Sequence, residues 1–147
     1  MALAINQIWK DDCYYLDEET GACKRKYVLV LSVDNKSSDS IVAVLTSKSH
    51  GLVESPACSL GPPRAGYYVG AIGGDLSLPT WVDFSSVEMV DNAEFMKGVS
   101  SKIKSVTALK LPQNVFCEVL RCALRSDDVP VKYSRLIGDT ASMIGCP

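Results

Sequence analysis

The stretch that most constrains this chain runs over residues 24–47. Three cations, Lys24-Arg25-Lys26, lead into the apolar run Tyr27-Val28-Leu29-Val30-Leu31. A polar stretch, residues 34–40, separates it from a second run, Ile41-Val42-Ala43-Val44-Leu45, which ends in Thr46-Ser47. Each run has strand length and β-branched character, and the connector carries Asp, Asn, Lys and Ser. The pattern predicts two adjacent antiparallel strands. Both runs are nearly continuous rather than alternating, so burial on both faces is expected. Antiparallel pairing brings the start of one strand beside the end of the next. Lys26 and Thr46 are thereby expected at one end of the sheet, within reach of one phosphate-sized group.

At 147 residues the chain is long enough for one domain with a sizeable core. A net charge of −2 offers no global attraction to nucleic acid, so any such site must be a local basic patch. Acids gather early, at Asp11, Asp12, Asp17, Glu18 and Glu19. No apolar run approaches the roughly 20 residues of a membrane span. The first ten residues lack the pattern of a signal peptide, and a cytoplasmic location is expected. Six cysteines are present, none in a C-x-x-C pair, and the one histidine is His50. A zinc site is not expected from that set. The cysteines read as small buried hydrophobes, with Cys13 and Cys23 bracketing a turn as the one pair suspected of bonding.

In chain order, residues 5–9 read as a first strand and residues 11–23 as an exposed loop. Its tyrosines, Tyr14 and Tyr15, either stack on bases or pack beneath it. Residues 48–65, rich in Pro and Gly, read as irregular. Strands are expected over 67–72, 81–84 and 87–90, the last two as one strand or two neighbours. Asp91 with Glu94 forms a capping-box pattern, and Gly98 is expected to close a short helix. A strand follows over 105–111. Pro112 opens a helix to Arg125, with Phe116, Val119 and Leu120 on its buried face. Residues 131–137 read as a last strand and 138–147 as a tail. The sum is a mainly β, α+β chain: a small curved antiparallel sheet or barrel with a C-terminal helix on it.

The order of these pieces resembles the MazF/PemK family of toxin endoribonucleases. Asn6-Gln7-Ile8-Trp9 is similar to the family's opening strand. Lys26-Tyr27-Val28-Leu29-Val30-Leu31-Ser32 is similar to its Arg-Pro-apolar strand, and residues 41–47 to its strand ending in Thr-Ser or Thr-Gly. Residues 82–91 resemble its strand leading into a short helix. The resemblance covers roughly residues 5–125 and implies a domain over 1–126, with 127–147 as a C-terminal extension. It implies an SH3-like barrel, of the kind shared with CcdB, and a homodimer. The implied activity is that of a type II toxin–antitoxin toxin: metal-independent, cofactor-free cleavage of single-stranded RNA, inhibited by a small antitoxin protein.

The family's catalytic threonine matches Thr46, and its arginine falls on Lys26, with Arg25 beside it. A lysine keeps the charge and loses the planar fork. Lys24, Ser47, Lys48 and His50 are the accompanying candidates for RNA contact. The other reading of Lys24-Arg25-Lys26 is a solvated strand start that discourages edge pairing. Two non-nuclease readings also stand: a barrel that binds RNA or protein without cleaving, and a CcdB-like gyrase poison. The ending Ile144-Gly145-Cys146-Pro147 lacks the Trp-Gly that the poison requires.

Overall fold

The computed structural model describes residues 3–34 and 36–147. Met1, Ala2 and Asn35 lie outside the described residues, the last within the turn expected between the two central strands. Among the described residues seven strands form one antiparallel sheet: β1 (Ile8–Leu16), β2 (Cys23–Val33), β3 (Asp39–Thr46), β4 (Cys58–Ser59), β5 (Gly66–Gly70), β6 (Thr80–Asp91) and β7 (Lys104–Val106). Their order across the sheet is β4-β5-β6-β3-β2-β1-β7. The helices are α1 (Asn92–Ser100), α2 (Gln113–Arg125) and α3 (Val131–Met143). The architecture is mainly antiparallel sheet with three helices, in the α+β class.

The two apolar runs are the central strands and pair as expected. Tyr27 faces Leu45, Val28 faces Val44 and Leu29 faces Ala43 across the ladder. Their continuous hydrophobicity serves two cores, one on each face. Leu29, Leu31, Ile41, Ala43 and Leu45 join Phe116, Val119, Leu120 and Ile137 beneath α2 and α3. Val28, Val30, Val42 and Val44 join Trp9 and Phe95 beneath α1. There the Trp9 and Phe95 rings meet edge to face, with centroids 5.2 Å apart.

Helix α1 begins as expected: the Asp91 side chain accepts from the Glu94 backbone N–H at 3.0 Å. Gly98, however, lies inside the helix and does not close it. A Cβ there would come within 2.7 Å of the flexible Lys104 side chain, which would have to shift. In α2, Phe116, Val119 and Leu120 are buried, as expected.

Several expectations are corrected. Most of residues 11–23 is not loop: β1 continues to Leu16, and β1 and β2 form a long hairpin turned at residues 17–22. Tyr14 packs against the second core and donates to Glu88 at 2.9 Å. Residues 81–84 and 87–90, by contrast, follow the first of the two arrangements expected: they form one strand, β6, with a register shift against β3. The strand expected over 105–111 is only Lys104–Val106. Residues 131–137 are helical, and the helix continues through Met143. The apolar positions Tyr133, Leu136, Ile137, Ala141 and Ile144 recur at helical spacing, a period obscured by the β-branched start. Residues 127–147 share the main core through Val129 and Ile137. Ser32 of β2 hydrogen-bonds the Leu136 carbonyl and Thr140 of α3, all within the fold.

The cysteines are not free hydrophobes. Cys13–Cys23, Cys58–Cys122 and Cys117–Cys146 are disulfides, the first being the suspected pair. The other two tie α2 to β4 and to the C-terminus. Among the described residues no helix is long and apolar enough to cross a membrane.

Candidate phosphate-binding cavity at the end of the central strands

Extending the central ladder by one position from Tyr27–Leu45 sets Lys26 opposite Thr46. Strand alternation puts both on the face shared by Val28 and Val44. Both line a cavity of about 200 Å³, together with Arg25, Tyr27, Leu45, Ser47 and Lys48. The turn before β6 supplies Asp75, Leu76 and Leu78, and β6 itself supplies Thr80. This volume lies below the roughly 300–1,000 Å³ of pockets that enclose a drug-sized ligand. It suits a phosphate with its flanking sugar, with the rest of an extended chain outside.

Three cations, Arg25, Lys26 and Lys48, face one carboxylate, Asp75, so the cavity is net positive within a net acidic chain. The hairpin of β1 and β2 partly offsets this. Asp12 accepts from Arg25 Nε at 2.8 Å, and Asp17 lies 3.7 Å from Lys24 Nζ. Asp11, across from Lys26 in the ladder, is occupied by Lys104 at 3.6 Å. Among the described residues Lys26 has no ion partner. The early acidic cluster is therefore the counterpart of the basic strand start, which linear separation concealed.

Thr46 is buried at the strand end. Its hydroxyl donates to the Lys48 carbonyl at 3.2 Å and accepts from the Lys48 N–H at 3.1 Å. This local turn fixes the hydroxyl beside the cavity and holds Lys48 at its rim. To donate to a phosphate oxygen, the hydroxyl exchanges its bond to the Lys48 carbonyl for one to the ligand.

Of the expected site residues, Arg25, Lys26, Thr46, Ser47 and Lys48 come together here, while Lys24 and His50 do not line the cavity. Sequence reasoning missed Tyr27 and Asp75 as site residues. The Tyr27 hydroxyl donates to Asp75 Oδ2 at 2.8 Å, across 48 positions of sequence. Burial, followed by that hydrogen bond, raises the Tyr27 phenol above its ordinary value. Asp75 reaches the cavity because Gly73 and Gly74 take φ of 129° and 51°, closing a tight turn bonded between Gly73 and Leu76. The Gly-Gly pair was legible as a turn, but nothing local says which strand end the turn faces.

Comparison with known proteins finds no family model and no curated protein that matches this chain.

Proposed function

We propose that this chain is a metal-independent endoribonuclease acting on single-stranded RNA, the toxin of a type II toxin–antitoxin pair of the MazF/PemK kind. The observation carrying the reading is the convergence of Lys26, Thr46 and Lys48 on one small cavity. RNA brings its own nucleophile, the 2′-hydroxyl. The protein must then stabilise charge on the phosphorane oxygens and manage two protons. Thr46 donates to a non-bridging oxygen, and the Lys26 ammonium neutralises its charge. Lys48 and Arg25 draw in the neighbouring phosphates.

An SH3-like barrel is part of this reading. Irregularities in the β1–β2, β2–β3, β3–β6 and β5–β6 ladders support it, because bulges bend and coil strands. A homodimer with an RNA groove across both subunits, blocked by a small antitoxin, completes it. Light scattering at micromolar concentration then reads twice the chain mass. An RNA substrate inside the cell puts the protein in the cytoplasm. The three disulfides instead fit an oxidising compartment, where such bonds persist. Alkylating thiols before lysis distinguishes the two.

The direct test is incubation of RNA with the purified chain in EDTA. Products ending in 2′,3′-cyclic phosphate, lost in Thr46→Ala, support the nuclease. RNA retention without cleavage supports the second reading, a binding barrel, which the existing engagement of the Thr46 hydroxyl with Lys48 favours. Gyrase poisoning through the residues around Cys146 fits less well. Cys146 is bonded to Cys117, and the Pro147 carbonyl accepts from Arg121.

A further inference from the structure

A cation and a hydroxyl account for charge stabilisation but not for removal of the 2′-hydroxyl proton. The cavity itself contains a group suited to that task. Ammonium and guanidinium groups are donors without an acceptor site, so Arg25, Lys26 and Lys48 are excluded as proton acceptors. Thr46, Ser47 and Thr80 are hydroxyls and do not ionise near neutral pH. Tyr27 is a phenol that donates to its neighbour. One carboxylate lines the cavity, Asp75, and a carboxylate is an acceptor with a free lone pair even while it takes one hydrogen bond. The Tyr27 hydrogen bond occupies Oδ2 and leaves Oδ1 available.

We propose that Asp75 is the general base of this site, with Tyr27 as the residue that positions its carboxylate. The assignment rests on the nuclease reading above and adds the proton acceptor that reading lacks. The 2′-O–H bond breaks, and its proton passes to the Asp75 carboxylate as the 2′-oxygen bonds to phosphorus. The P–O5′ bond breaks with its electron pair on O5′, which takes a proton from the Lys26 ammonium. The products are a 2′,3′-cyclic phosphate and a 5′-hydroxyl. Proton exchange through solvent returns Asp75 to its carboxylate and Lys26 to its ammonium. No water, metal or redox partner is consumed.

The geometry gives Tyr27 a defined role. It follows Lys26 in β2, pairs with Leu45 of β3 and packs against the core on the Leu29 face. Its hydroxyl reaches the turn at Asp75, so both residues line the cavity with Lys26 and Thr46 at the strand end. The turn residue Asp75 is exposed, so without this bond its side chain would sample many rotamers. The charged and titratable groups that share the cavity with Asp75 are Arg25, Lys26 and Tyr27 from β2 and Lys48 after β3. Asp12 of β1 adds its charge through Arg25.

The test compares wild type with Asp75→Asn, Asp75→Glu and Tyr27→Phe in single-turnover cleavage of an RNA oligonucleotide across pH, in EDTA. Binding is read on the all-deoxy oligonucleotide of the same sequence, which lacks the nucleophile. Asp75→Asn is expected to slow cleavage about 100-fold or more and to abolish the acidic limb of the pH–rate profile. Its affinity for the deoxy probe should stay within about twofold. Asp75→Glu should recover part of the rate. Tyr27→Phe loses the bond that fixes the carboxylate, so its plateau rate should fall less than that of Asp75→Asn while deoxy-probe affinity stays within about twofold. An unchanged rate and limb in Asp75→Asn overturns the assignment. So does a rate loss matched by an equal loss of deoxy-probe binding. Those failures leave wild-type cleavage intact. A folded wild type that cleaves no RNA overturns the nuclease reading itself, and this assignment with it.

Discussion

Lys26 and Thr46 each sit one residue beyond the Tyr27–Leu45 pair, on neighbouring strands, and both line one cavity. Removing either should therefore impair the same step. Thr46→Ala is expected to reduce the cleavage rate about 100-fold, the usual cost of losing one donor to developing charge. Thr46→Ser, which keeps the hydroxyl, should retain most activity. Lys26→Ala should lose at least as much as Thr46→Ala. Lys26→Arg should recover only part of the loss seen in Lys26→Ala: the guanidinium offers a planar fork to phosphate but does not give up its proton to O5′ as an ammonium can. Single-turnover rates on one RNA, with circular dichroism to show the variants folded, check the set.

Arg25 competes with Lys26 for the role of the site's cation. Its guanidinium is committed to Asp12, though both side chains are exposed, at 59% and 40%. Such a pair is worth about 0–1 kcal/mol, so RNA can draw the arginine away at small cost. Lys26→Ala is expected to lose more cleavage than Arg25→Ala. Asp12→Asn should tighten RNA binding at low salt, and the gain should fade as ionic strength rises. Anisotropy titrations at two salt concentrations measure it. A larger loss in Arg25→Ala transfers the role to Arg25.

The C-terminal helix belongs to the folding unit. Ile137 is fully buried in the main core, and Thr140 meets Ser32 of the central strand at 2.8 Å. Ile137→Ala is expected to cost about 2–5 kcal/mol in urea unfolding. Deleting residues 127–147 should leave a chain without a cooperative transition. A truncated chain that unfolds cooperatively at the full-length midpoint would refute this.

Tyr67 gives the fold a signature in alkali. Burial, then hydrogen bonding to the Glu118 carboxylate, pushes its phenol up to about 12 from the ordinary 10. The unfolded chain loses this proton near pH 10, while the folded chain keeps it until about pH 12. Between those values the folded state binds more protons, so stability falls as pH rises. The contribution is fully present below pH 10 and lost through the folded value. Urea midpoints measured from pH 9 to 12 should decline, and Tyr67→Phe should decline less steeply.

The sequence by itself determined the central strand pair, the start of α1 and the buried face of α2. Each rests on a local periodicity or cap that needs no distant partner. It also brought Lys26 and Thr46 to one strand end, because antiparallel pairing follows from two apolar runs and a turn. The tertiary structure decided the rest. Residues 131–137 carry a β-branched start, and only their packing on α2 and β2 reveals a helical period. The acids at Asp12 and Asp17 read as a loop until the hairpin set them against Arg25 and Lys24. Asp75 enters the site through a hydrogen bond spanning 48 residues. Local propensity reports the chain's own conformation. Which side chains meet depends on how the sheet's register and bends bring distant turns together, and one residue of register changes every face.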